Sequence, residues 1–339
     1  MGLRKGVAKV SRCWLLGGMI LPGLLVWHGA LNSLRAQPVG TCLPAGAEAY
    51  LDVNNVRARI FNDGGLFWQG GPYAYEVPQG AGVHAVFAAS LWIGGMAGDE
   101  LRMAGTRYGP YEFWPGPLDA SGAPAADCTR YDHLFAITRA DVERYNETGV
   151  PAQNLLDWPG HWGAPVLDGD GVASNYNLDG GDRPALVDDQ MLWWVMQDAG
   201  NEHAFTGAPP LRMEVQGSAF AFQSGNALGN TTFYRYRLVY HGDVPLRDTY
   251  VGFYVDPDLG DFADDYIGTD TTLHLGYVYN GDNDDGPEGY GPNPPAVGFT
   301  FLRGARAPVD GLDNDRDGLV DEGVRQSAPV HVLPPTRLP

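Results

Sequence analysis

The sequence predicts a mainly β chain, an antiparallel β-sandwich or jelly-roll-like fold with long acidic loops and one or two short helices. Three observations point there. After residue 190 the text reads as strand after strand: 191–196, 211–218, 220–223, 231–240, 248–255, 272–279 and 296–302. Turn formers are abundant, with 47 glycines and 26 prolines among 339 residues. Helix starts are scarce. Many short strands joined by Gly, Asn and Asp turns, with almost no helix between them, close into sandwiches.

Taken in order, residues 1–36 read as a secretory signal. Arg4, Lys5, Lys9 and Arg12 precede an apolar run from Cys13 to Leu31, and Leu34-Arg35-Ala36 is an acceptable cleavage site, so the mature chain is expected to start at Gln37, with an uncleaved membrane anchor as the alternative. A β-rich domain is expected over 37–305, an Asp-rich loop over 306–325 and a Pro-rich tail or linker over 326–339. Within the domain, 50–62 begins with strand alternation (Val53, Val56, Ala58, Ile60) and ends in the turn Asp63-Gly64-Gly65. The apolar run 83–93, bounded by glycines, reads as a core strand, and 101–108 returns beside it as a hairpin. Residues 111–117 read as an aromatic, proline-rich loop. Thr138-Arg139-Ala140-Asp141 starts a helix that runs to Glu147, before Gly149 and Pro151. A turn of helix follows at 153–157. In 231–240 and 248–255 polar and apolar residues alternate, with Arg235 and Arg237 on one face.

Charge narrows the partners. The whole chain carries a formal net charge of −19, and removing the five basic residues of 1–36 takes it to −24. All remaining basic residues are arginine. A field this acidic argues against nucleic acid and anionic membranes as partners and favours divalent cations. No stretch after the signal is apolar enough to span a bilayer. Cys42 and Cys128 remain, an even pair that in an exported chain is most simply a disulfide, with two buried thiols as the alternative.

The densest chemistry is Asp310-Gly-Leu-Asp313-Asn-Asp315-Arg-Asp317-Gly318-Leu319-Val-Asp321-Glu322. Aspartates at spacing two aim their carboxylates at one centre, and the glycine takes the sharp turn. Asp313, Asp315, Asp317, the Leu319 carbonyl, Asp321 and Glu322 are candidate calcium ligands. Val324 stands where an EF-hand has its bidentate glutamate, so this is a single calcium-type loop of the kind found in Asp-rich linkers. A second loop opens with Leu167-Asp168-Gly169-Asp170-Gly171 and continues through Asn175, Asn177, Asp179 and Asp182. Asp168, Asp170, Asn175 and Asp179 are its candidate calcium ligands. Two further clusters, Asp256 to Asp265 and Asn280 to Glu288, flank the 272–279 strand and are expected to share one end of a sheet.

No catalytic residue is assigned. There is no HExxH, no Gly-x-Ser-x-Gly elbow and no phosphate-binding glycine motif. Glu202-His203 reads as an ordinary turn. A glycoside hydrolase or glycan-binding module is the alternative, since carboxylates and tryptophans are plentiful. Trp114, Trp158 and Trp162, in loops beside Pro and Gly, are then the best candidates for a binding surface.

Several segments carry a resemblance: Ala89-Ser-Leu-Trp-Ile-Gly-Gly95, Phe113-Trp-Pro-Gly-Pro-Leu-Asp119, Asp189-Gln-Met-Leu-Trp-Trp-Val195, Asn230-Thr-Thr-Phe-Tyr-Arg-Tyr236, Asp256-Pro-Asp-Leu-Gly260 and Asn293-Pro-Pro-Ala-Val297. Together these resemble the N-terminal region of large uncharacterised exported proteins of Bacteroidetes-type bacteria, many of which carry a type IX secretion sorting domain. The resemblance implies export and a surface or extracellular role, and no assigned activity. No sorting domain follows the acidic loop, so a shortened relative or a fragment is expected. The function expected is that of an exported, calcium-binding, non-catalytic structural or adhesive protein. Its expected partners are calcium ions, glycans and other surface proteins.

Overall fold

The computed structural model describes residues 40–71, 75–173, 175–186 and 188–302. The expected signal segment and the 306–325 loop, with Asp313, Asp315, Asp317, Leu319, Asp321 and Glu322, lie outside these residues, as does the tail. The described chain is mainly β, and its named strand pairs are all antiparallel.

Two large sheets make the sandwich. One runs Leu246–Asp256, Ala88–Ala97, Gly65–Leu66, Arg57–Phe61, Tyr75–Glu76, His84–Val86, with Glu48–Leu51 added to Arg57–Phe61 and Glu100–Ala104 added to Ala88–Ala97. The other runs Thr232–Tyr240, Met213–Ala221, Gln190–Gln197, Trp114–Pro115, with Phe135–Thr138 also on Gln190–Gln197. A third, three-stranded sheet follows: Asp265–Asp270, Leu275–Asn280, Ala296–Thr300.

Strand Gln190–Gln197 is buried at all eight positions. Successive side chains of a strand point to opposite faces, so it serves two cores. Leu192, Trp194 and Met196 face the sandwich core, with Ile60, Leu91, Ile93, Val215 and Ala219. Met191, Trp193 and Val195 face a second core made with Ile137, Tyr145, Leu155 and Trp158. The second core brings in the helices. Arg139–Thr148 begins with the reciprocal cap expected from its sequence, Thr138 Oγ1 accepting from the Asp141 amide and Asp141 accepting from the Thr138 amide, and ends at Gly149 with φ 69°. Gln153–Leu156 adds Leu155, which is fully buried. Trp194 also explains a glycine: Gly217 lies directly across the ladder from it, and a Cβ there would come within 2.3 Å of the indole. The sheets are tied by Gln190, whose Oε1 accepts from the amides of Asp52 and Val53 while its Nε2 donates to Tyr50 O.

Several expectations are corrected. The two strands expected at 211–218 and 220–223 are one strand, Met213–Ala221, because the ladder to Gln190–Gln197 continues without a break. The 272–279 strand starts at Leu275, after a turn that puts His274 at φ 50°. Asp265–Asp270, hidden inside an acidic cluster, pairs with it residue by residue. Of the three loop tryptophans, Trp114 lies in a two-residue strand and is buried and Trp158 is buried, whereas Trp162 is half-buried against the second core. The Cys42–Cys128 disulfide is present, with Cα atoms 5.5 Å apart across a sequence separation of 86.

Truncating a fully buried tryptophan removes its transfer energy and leaves a cavity, so Trp194→Ala is expected to cost about 3–5 kcal/mol in urea unfolding. A loss below about 1 kcal/mol would contradict the double-core reading. Opening the long disulfide loop with Cys42→Ser and Cys128→Ser is expected to cost about 2–5 kcal/mol in the same assay.

Candidate metal centre

The second acidic loop is closed by a two-residue ladder. Val166 pairs with Pro184 and Leu167 with Arg183. Asp168 and Asp182 are the first residues beyond that ladder on either side, so the stem itself brings them together. Asp170 folds back to join them. One carboxylate oxygen from each of Asp168, Asp170 and Asp182 lies within 4.8 Å of the other two, and Asp182 is buried. Among the described residues no other such group of three His, Cys, Asp or Glu ligand atoms forms.

Glycine makes the approach possible. A Cβ on Gly169 would come within 2.4 Å of the Gly181 backbone, and Gly181 itself has φ 104°. The loop turns on carboxylate-to-amide hydrogen bonds. Asp168 Oδ1 accepts from the amides of Asp170, Gly171 and Val172 at 3.1, 2.6 and 3.2 Å. Asp182 accepts from the Gly169 amide through Oδ1 and from the Asn177 amide through Oδ2, both at 2.8 Å. Asp170 Oδ2 accepts from the side-chain amides of Asn175 and Asn177 at 3.0 and 3.2 Å. The Asn175 amide holds the Asp170 carboxyl below its ordinary value, so it is ionised at neutral pH. Asn175 Oδ1 is shut off from solvent and has no hydrogen-bond partner among the described residues. Among the described residues Asp168 Oδ2 takes none of these hydrogen bonds, and Asp170 Oδ1 and each Asp182 oxygen accept one amide apiece, so each of the three carboxylates keeps a lone pair for a hard divalent cation.

The loop is fixed to the second core. Tyr176 and Leu178 pack on that core. Tyr176 Oη donates to Leu155 O at 2.8 Å. The Arg183 guanidinium lies 4.3 Å from the centre of the Tyr145 ring and donates to the carbonyls of Leu178 and Asp182. The ladder, the helices and the buried strand therefore all bear on the position of the three carboxylates.

Of the residues expected here, Asp168, Asp170 and Asn175 come together, whereas Asp179 is exposed and outside the group of three. It sits in the helical turn Leu178–Gly180, which points the chain onward to Asp182. The signal for Asp182 lay in its place, mirrored with Asp168 about a hairpin stem too short to read as strands. The other two clusters do share one end of the third sheet, as expected, with Asp265 directly across from Asn280. Their carboxylates hold backbone: Asp285 accepts from the amides of Asp261 and Tyr290, and Asp265 from that of Leu259. Burial, with Asp285, Asp264 and Asp258 nearby, pushes the Asp265 carboxyl up to about 6. Compared with protein-family models, curated proteins and solved structures, the chain matches none.

Between the loop and the buried strand stands Asp188, 1% exposed, with neither carboxylate oxygen hydrogen-bonded among the described residues. Burial pushes its carboxyl from 3.8 to about 7, against the pull of Arg139. The folded state therefore holds a proton that the unfolded chain releases. This contribution to stability is full below about pH 4 and is lost as pH rises through about 7. In calcium-free buffer, Asp188→Asn is expected to gain melting temperature relative to the wild type as pH rises from about 4 to about 8. An equal difference at both ends of that range would contradict this.

Proposed function

We propose that the chain is an exported, non-catalytic protein that binds calcium through its acidic loops and serves a structural or adhesive role at the cell surface or outside the cell. The observation that carries this reading is the convergence of Asp168, Asp170 and Asp182 within 4.8 Å on a loop whose backbone is packed against the core. Three carboxylates so close repel each other, and a divalent cation among them turns that repulsion into binding energy available only to the folded chain. The Asn175 side chain, whose amide nitrogen donates to Asp170 and whose Oδ1 has no hydrogen-bond partner among the described residues, is available to add a further oxygen. The Cys42–Cys128 disulfide is compatible with an oxidising compartment, and no helix among the described residues is long and apolar enough to cross a membrane. The resemblance to exported surface proteins points the same way. Glycans and other surface proteins are the partners this reading allows. The carbohydrate-active alternative asks for an open aromatic platform, and of its three candidate tryptophans Trp114 and Trp158 lie in the cores at 4% and 1% exposure while Trp162 is half-buried.

The test is thermal unfolding of residues 37–339 in excess EDTA, in calcium and in magnesium. At a ten- to hundred-fold excess over Kd, one site adds about 1.4–2.7 kcal/mol. Calcium alone is expected to raise the melting temperature, and Asp182→Asn to remove part of the rise. Asp315→Asn with Asp317→Asn tests the 306–325 loop separately. An identical melting temperature in EDTA and calcium would sink the proposal.

A further inference from the structure

Far from the acidic loop, the chain buries a histidine between two carbonyl oxygens. His203 lies in the connection from strand Gln190–Gln197 to strand Met213–Ala221. Its Nδ1 is 2.7 Å from Met103 O and its Nε2 is 2.6 Å from Asp198 O. A carbonyl oxygen only accepts. A neutral imidazole has one N–H and one bare lone pair, so either tautomer would press that lone pair against a carbonyl. The site is closed to water, with the side chains of His203 and Glu112 both at 0% exposure. Only the doubly protonated ring satisfies both contacts.

The surroundings supply the countercharge. Glu112 Oε2 is 3.8 Å from Nδ1. Glu112 also accepts three backbone amides, from Gly105 at 3.1 Å, Phe205 at 2.7 Å and Thr206 at 2.6 Å, which favours its anion. Asp198, fully buried, accepts from the amides of Leu211 at 2.5 Å and Met213 at 2.7 Å. Burial pushes its carboxyl up and the charge of His203 pulls it down. The Trp114 indole stacks on the ring, with centroids 5.8 Å apart and 24° between planes. Arg102, from the strand that also carries Met103, is a further charged group on this side of the molecule, and it donates to Glu100 and to Pro210 O.

We infer that His203 is a buried imidazolium that latches three segments together: the Met103 strand, the Glu112 loop and the 198–211 connection. The latch also holds the N-terminal segment. The amides of Gly40 and Cys42 donate to the carbonyls of Ala199 and Gly200 at 3.0 and 2.8 Å, and Trp114 packs on both His203 and the disulfide. The proton is part of the folded structure. Its loss would leave a bare ring nitrogen facing a carbonyl oxygen at this end of the molecule.

The test is nitrogen-15 NMR of residues 37–339 with labelled histidine, read from neutral to alkaline pH. Both ring nitrogens of His203 are expected to carry protons and to show imidazolium shifts at neutral pH. The amides of Gly40 and Cys42 are expected to lose protection from exchange together with the ring proton. A single ring N–H at neutral pH, with the other nitrogen showing the shift of a bare lone pair, would overturn the inference. Glu112→Gln keeps the size and removes the countercharge. It is expected to let the ring lose its proton at a hydrogen-ion concentration at least tenfold higher, and an unchanged titration would overturn the pairing with Glu112.

Discussion

The strand Gln190–Gln197 must be buried on both faces, and the rest of the structure depends on that constraint. Leu192, Trp194 and Met196 close the sandwich from one side, while Met191, Trp193 and Val195 require a second apolar layer on the other. That layer is built from Ile137, Tyr145, Leu155 and Trp158, which is why the two helices lie where they do. The acidic loop then inherits its position, since Tyr176 and Leu178 pack on the same layer and Arg183 lies over Tyr145. A loop rich in carboxylates would otherwise spread to separate its charges. Here a buried strand, two helices and a short ladder hold it closed.

Legibility in the sequence followed the strength of the local signal. Thr138 and Asp141 announced the helix, and Gly149 its end, because capping uses neighbours in sequence. The alternation in Thr232–Tyr240 and Leu246–Asp256 was readable because each strand has one face turned inward. Strand Asp265–Asp270 was not, since its residues alternate weakly and its aspartates read as loop. Trp114 and Trp158 misled because proline and glycine beside them signal turns, and turns in this fold are folded back into the cores.

The candidate site was half legible. Asp168, Asp170 and Asn175 are close in sequence and their spacing declares a tight loop. Asp182 joins them only through the pairing of Leu167 with Arg183, a contact two residues long that no periodicity reveals. The same holds for His203. Its partners Met103, Glu112 and Asp198 come from separate segments, so in sequence it reads as a lone histidine in a turn. Both are cases where a charged group gains meaning from long-range topology, and where burial makes its charge consequential.

The central claim is that the three carboxylates of the second loop hold a calcium ion. A crystal of residues 37–339 grown in calcium, with anomalous scattering measured, tests it most directly. The expected result is an anomalous peak among Asp168, Asp170 and Asp182 with oxygens at about 2.3–2.6 Å and a total of about six to eight ligands. A well-ordered loop with only water between those carboxylates would contradict it.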